Sequence, residues 1–150
     1  MARYDIEKDK KFSWMENYFL KDLDPETLKG KTLLDLGCFT GGRLSAWYEN
    51  YELEKAYGID INPIFNVAAD EFASEKKINA DFKIGIGEKL PYQDNFFDFV
   101  VSTDTFEHVQ NLKITMDECY RVLKPGGSLL AVFPQFLQPF ESHLNFVTNL

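Results

Sequence analysis

Apolar residues in this chain come in short consecutive runs, separated by stretches with a helical period. Five runs stand out, Thr32–Leu36, Ala56–Ile59, Asp81–Ile84, Phe97–Ser102 and Ser128–Phe133, and all but Asp81–Ile84 have apolar residues at neighbouring positions rather than only at every second one. That pattern predicts strands covered on both faces. Between them, Phe65, Ala68, Ala69, Phe72 and Ala73 form a helical stripe, with Asn62 as its N-cap and Pro63 in its first turn. Leu112, Thr115, Met116, Cys119 and Leu123 form a second stripe, on which Asp117 and Arg121 are spaced for an i,i+4 ion pair. This helix is predicted to stop at Lys124-Pro125-Gly126-Gly127, just before the last strand. Strand, helix and strand in this rhythm predict an α/β fold: a doubly wound, mostly parallel sheet with helices on both faces.

Ahead of the first strand, Phe12, Met15, Tyr18 and Phe19 predict an amphipathic helix, and Asp24-Pro25 interrupts the chain before a short second turn of helix. No repeat, low-complexity tract or Gly/Ser linker divides the chain. The reading is a single domain, residues 1–29 forming a helical cap and residues 30–150 the core.

Composition narrows the function classes. At 150 residues, 45% hydrophobic and 27% charged, the chain reads as a soluble globular protein. Its 14 phenylalanines point to a bulky core. A net charge of −8 argues against nucleic acid and anionic membrane surfaces as partners. No apolar run approaches the roughly 18 residues of a spanning helix, and no signal peptide opens the chain. Cys38 and Cys119 lack the spacing of a metal site or a disulfide framework. A cytoplasmic protein without a metal is therefore the expectation.

Doubly wound sheets bind ligands at the carboxyl ends of their strands. Here the first strand runs into Asp35-Leu36-Gly37-Cys38-Phe39-Thr40-Gly41-Gly42, and a helix begins near Arg43. Glycines let the backbone turn sharply, and the next helix presents free N–H groups to an anion. Asp60 ends the second strand roughly 20 residues on, where an acidic side chain can accept hydrogen bonds from a ribose diol. Together they imply a nucleoside-containing cofactor.

LLDLGCFTGG, YGIDINP, GEKLPYQDNFFDFVVSTDTFEHV and ECYRVLKPGGSLLAVFP, in that order, resemble the motifs of class I S-adenosylmethionine-dependent methyltransferases of the small-molecule group. The resemblance covers residues 30–148 and implies a Rossmann-like core. By that resemblance Asp35 and Gly37 would hold the methionine ammonium, through a carboxylate and a backbone carbonyl. Cys38, Thr40 and Gly41 would belong to the turn around the methionine carboxylate. Asp60 would take the ribose hydroxyls and Ile61 one adenine face. Gly87 and Glu88 would meet the adenine edge, with Leu90 near its other face. Asp104, Thr105 and His108 would border the sulfonium and the acceptor, Asp104 and His108 being the catalytic candidates. The implied reaction is in-line transfer of a methyl group from S-adenosyl-L-methionine to a small-to-medium molecule, leaving S-adenosyl-L-homocysteine.

Two positions depart from the family's pattern. Phe39 replaces the middle glycine of D-x-G-x-G-x-G, so either its backbone is strained or its ring must turn aside. Ile86 stands where many relatives carry an adenine-binding Asp, which leaves the Gly87 N–H and Glu88 for that role. Phe96, Phe97 and Phe99 read as core, Phe136, Phe140 and Phe146 as candidate pocket walls, and His143 as either a surface loop residue or a substrate contact. By the resemblance, the chain would carry the first five strands of such a sheet, with Thr148 as the N-cap of a helix that would follow; it would then be either a fragment of a longer protein or naturally short. An exposed fifth-strand edge would then favour a homodimer. Two other readings remain. One is a non-catalytic relative that binds the cofactor or a protein. The other, a nicotinamide-dependent dehydrogenase, fits poorly because Gly37 to Gly42 does not read G-x-G-x-x-G.

Overall fold

The computed structural model describes residues 24–132, 140–141 and 146–147. After a 3-10 turn at Pro25–Thr27 come β1 (Thr32–Leu36), α1 (Gly42–Tyr51), β2 (Lys55–Asp60), α2 (Pro63–Lys76), β3 (Ala80–Ile84), β4 (Phe97–Thr103), α3 (Leu112–Val122) and β5 (Leu123–Val132). Two-residue strands β6 (Phe140–Glu141) and β7 (Phe146–Val147) pair antiparallel. The predicted amphipathic helix, Phe136, His143 and Thr148 lie outside the described residues, as do the side chains of Phe140 and Phe146.

The main sheet is parallel throughout, in the order β3-β2-β1-β4-β5. β1 is central, and consecutive side chains enter opposite cores. Leu33 joins Leu44, Trp47, Tyr51, Ala56, Phe99 and Val101 beneath α1. Leu34 and Leu36 join Tyr57, Ile59, Phe97, Val100, Cys119 and Val122 beneath α3. Burial on both faces is why β1, β2 and β4 read as largely apolar runs. The edge strand β3 differs: it alternates Asp81, Phe82, Lys83 and Ile84, and none of its residues is fully buried. Phe97 and Phe99 are core, as expected, and Phe96 packs against it.

Three local expectations change. On α2 the buried positions are Asn66, Ala69 and Ala73, while Phe65, Ala68 and Phe72 are half-buried. Asn66 goes inside because its amide donates to the carbonyls of Asp60 (3.2 Å) and Asn62 (3.0 Å) at the start of the helix. On α3, Leu112 and Met116 stay exposed, and the Asp117–Arg121 pair is not formed. Asp117 pairs with Lys113 at 2.6 Å instead. Arg121 turns to Glu118 (2.7 Å), Asp94 (2.8 Å) and the carbonyls of Leu90 and Tyr92, which ties the loop after β3 to α3. Finally, β5 begins at Leu123 rather than Ser128, with a register shift against β4 between Phe97 and Phe99.

Candidate functional site

The strand order reverses between β1 and β4, so a crevice opens above their carboxyl ends. The turn after β1 is tied to β2: the N–H groups of Gly37 and Cys38 both donate to the Ile59 carbonyl, at 2.9 and 3.1 Å. Gly37 has φ 79°, and a Cβ there would lie 2.9 Å from Thr105 Cγ2, so the loop after β4 closes directly onto this glycine. Gly41 (φ 76°) caps α1 without a side-chain hydrogen bond. A Cβ on it would meet the Phe82 ring at 3.0 Å and Ala69 at 3.1 Å. The first N–H groups of α1, like those of any helix, lack an intrahelical acceptor, and Gly41 supplies no side-chain cap for them.

Phe39 adopts φ 51°, a left-handed conformation that costs a non-glycine residue about 1–2 kcal/mol. Two contacts offset that strain. Its N–H donates to Asp60 Oδ2 at 3.0 Å, and its half-exposed ring packs on Phe65 with centroids 4.0 Å apart. Both outcomes foreseen for this position therefore occur together: the backbone is strained and the ring is turned aside onto α2. Asp60 Oδ1 accepts the Asn62 N–H at 2.9 Å. The carboxylate is thus fixed by one amide on each oxygen, and each oxygen keeps a lone pair for a further donor. Ile61, the next residue, is 70% exposed, and Ile86 on the turn after β3 is 45% exposed.

Other predicted residues are buried or hydrogen-bonded within the fold. Thr40 is buried, and so is the Cys38 thiol, beneath the turn and against Gly58. Burial, reinforced by the Asp35 and Asp60 charges, pushes that thiol well above its ordinary range. Cys38 therefore offers the site neither a thiol nor a free N–H, since the latter is held by Ile59. The Gly87 backbone is buried against Thr115. Glu88 Oε1 accepts the N–H groups of Gln110 (2.7 Å) and Asn111 (3.0 Å), and the Asn111 bond above all holds its carboxyl below its usual range. Glu88 thus anchors the start of α3. Leu90 is buried in the core beneath α3, with its N–H on Glu118 at 2.7 Å.

At the end of β4, Asp104 has φ 54° and donates its N–H to the Val132 carbonyl at 2.8 Å. Thr105 Oγ1 bridges toward the carbonyls of Leu36 and Thr103, each at 3.2 Å. His108 is exposed, with Nε2 3.9 Å from Glu107 Oε1. The structure therefore gathers Asp35, Gly37, Asp104 and Thr105 near the β1–β4 crevice, and Phe39 with Asp60 beside β2.

One residue is not singled out by its sequence context. Arg43, the second residue of α1, reaches back to the fully buried Asp35. Its Nε donates to Oδ2 at 3.2 Å and its Nη2 to Oδ1 at 2.9 Å. Nη2 also donates to the Gly37 carbonyl at 3.1 Å. Burial opposes the charge on Arg43, but Asp35, with help from Asp104, raises its pKa overall. A basic residue on the first turn of a helix, where cations are disfavoured, was the available signal.

Among the described residues no group of three or more His, Cys, Asp or Glu could hold a metal ion, and no helix is long and apolar enough to cross a membrane.

Comparison with known proteins places this geometry. Residues 34–131 match the family model described as a methyltransferase domain. The chain is 35% identical over 109 residues to phosphoethanolamine N-methyltransferase 3 of Arabidopsis thaliana, covering 73% of this chain and 21% of that protein. It is 31% identical over 121 residues to a ubiquinone/menaquinone biosynthesis C-methyltransferase of Neisseria meningitidis, covering 79% of this chain and 49% of the relative. A solved structure from Pyrococcus horikoshii OT3 superposes with a TM-score of 0.66 at 30% identity, covering 90% of this chain and 55% of that one. The chain thus spans half or less of the length of these two curated relatives. With a parallel β3-β2-β1-β4-β5 sheet, a glycine turn after β1 and a family match across the whole core, the chain belongs to the class I S-adenosylmethionine-dependent methyltransferases.

Proposed function

We propose that this chain forms the cofactor-binding part of an enzyme that methylates a small-to-medium molecule by in-line displacement. Family membership implies S-adenosylmethionine as the methyl donor, and the question is whether the residues present suit it. Three features fit. The Asp60 carboxylate, aligned by the Phe39 and Asn62 amides, suits a ribose diol. The start of α1, without a side-chain cap at Gly41, suits a carboxylate. The exposed Ile61 and Ile86 suit the faces of a purine. Asp60 is the observation that carries the reading, because its carboxylate is fixed from two sides yet keeps acceptor capacity for a further donor.

When bound, S-adenosylmethionine supplies a methyl group on a positively charged sulfur. The chain's own part is to align donor and acceptor and to keep water out. Asp35, Asp60 and the first turn of α1 would hold the donor in one orientation. Thr105, packed on Gly37, would fix the distance between the cofactor turn and the acceptor side. An acceptor that carries a proton on its nucleophile requires a base, for which Asp104 at the crevice and the exposed His108 are the candidates. The relatives' names span nitrogen and carbon acceptors, so the acceptor atom is left open. The family match does not favour the non-catalytic reading.

Calorimetric titration of S-adenosylmethionine and S-adenosylhomocysteine into the chain tests the reading. Saturable binding should weaken by about tenfold in Asp60→Ala, on the order of 1.4 kcal/mol. No binding to a folded sample, or equal binding by the variant, contradicts it.

A further inference from the structure

Arg43 carries a further inference, one that rests on the S-adenosylmethionine reading. Its guanidinium spans both oxygens of Asp35 and the Gly37 carbonyl, and the carboxylate beneath it is fully buried. The Arg43 side chain itself is 10% exposed. The fold supplies little reason for a cation here. The first turn of a helix is the positive end of its dipole, and a buried ion pair is seldom more stabilising than well-packed apolar residues. The acceptors Arg43 engages are the two that the family resemblance allots to the methionine ammonium. The guanidinium already donates to all three oxygens, so an ammonium reaching for the same acceptors competes with it.

We propose that Arg43 is a specificity-determining residue: a resident surrogate for the cofactor's ammonium group, which the incoming amino group must displace from Asp35 and the Gly37 carbonyl. The exchange swaps one charged donor for another, so most of the amino group's interaction energy cancels. Asp104, whose charge also favours Arg43, gives the released guanidinium an acidic neighbour. The wild-type chain is then selective for the nucleoside and carboxylate parts of the ligand and nearly indifferent to the amino group.

The experiment compares S-adenosylhomocysteine with its des-amino analogue, which keeps the carboxylate, by calorimetry on the wild-type chain and on Arg43→Met. In the wild type the two ligands should bind within about threefold of each other. In Arg43→Met, S-adenosylhomocysteine should tighten and the ratio should widen to roughly tenfold or more, about 1.4 kcal/mol. The des-amino analogue should change little. Should Arg43→Met fold poorly, the wild-type ratio decides alone, and discrimination of thirtyfold or more overturns the proposal. So does equal weakening of both ligands in a folded Arg43→Met, which would make Arg43 a carboxylate contact or a structural prop. If neither ligand binds the folded wild type, the cofactor reading itself fails and takes this inference with it. Binding of both ligands with the wrong ratio removes only the role of Arg43.

Discussion

Asp35 and Asp98 are both strand carboxylates bonded to a cation, and they sit at opposite ends of the sheet. Asp98, near the start of β4, binds the Thr32 N–H at 3.0 Å, the Thr32 hydroxyl at 2.8 Å and Lys124 at 2.8 Å. Lys31 adds a charge at 3.9 Å. Its side chain is 18% exposed. Asp35, inside β1, is fully buried, and among the described residues its hydrogen bonds come from Arg43. At the amino edge, partners from three places, one of them backbone, hold a carboxylate that water can still reach. At the carboxyl edge, a single side chain holds a carboxylate that water cannot reach. The first arrangement is redundant and suits a structural fastening. The second is poised to exchange its partner, which is what a ligand site requires.

The two edges should differ most under substitution of Asp35. Asp35→Ala strands a buried guanidinium and should cost about 3–5 kcal/mol in urea unfolding. Asp98→Ala should cost less, about 1–3 kcal/mol, because Thr32 and Lys124 can turn to water. Equal losses would erase the distinction between the two edges. The strained turn gives a smaller test. Phe39→Val keeps a left-handed φ with a β-branched side chain and loses the ring contact to Phe65. It should be about 1–2 kcal/mol less stable than Phe39→Gly, which relaxes the backbone.

Acid probes the Asp98 fastening in another way. Burial alone would raise the Asp98 carboxyl, but bonds from Lys124 and Thr32 hold it below its usual range. Arg121, despite opposing burial, and then the Leu90 N–H lower Glu118 in the same sense. Folded values below the unfolded ones mean that the native state binds fewer protons. The stabilisation is complete above the unfolded values, about 4, and is lost as pH falls through the folded ones. Lys124→Met should make unfolding free energy less dependent on pH below about 4, as read from urea unfolding at a series of pH values. Smallest of all, Lys113→Ala removes an exposed i,i+4 pair and should shift stability by no more than about 0.5 kcal/mol.

Much of the fold was legible because burial on both faces writes itself into β1, β2 and β4 as largely apolar runs. β1 matches its expected span of Thr32–Leu36, and β2 extends only from Lys55 to Asp60. The start of β5 was hidden because its pairing begins across a register shift, beyond the reach of any local pattern. Side-chain partners were harder to read than elements. Helical spacing offered Asp117 to Arg121, but tertiary contacts from Asp94, Leu90 and Tyr92 drew the guanidinium away. Within the site, Asp60 and the glycines carry signals set by spacing. Arg43 stands out in sequence only as a cation in a helix's first turn, and its partners emerge once α1 folds back on β1; Glu88 turns out to anchor α3 because Gln110 and Asn111 bring their amides to it.

The proposed cofactor site lies at the carboxyl edge of β1, β2 and β4. Titrating S-adenosylhomocysteine into the ¹⁵N-labelled chain and following its amide signals tests that placement residue by residue. Changes concentrated at Gly37, Phe39, Asp60 to Asn62 and Asp104 to Thr105, with Thr32, Asp98 and Gly127 at the amino edge unmoved, are the predicted result. Changes centred on the amino edge, or none at saturating ligand, would contradict it.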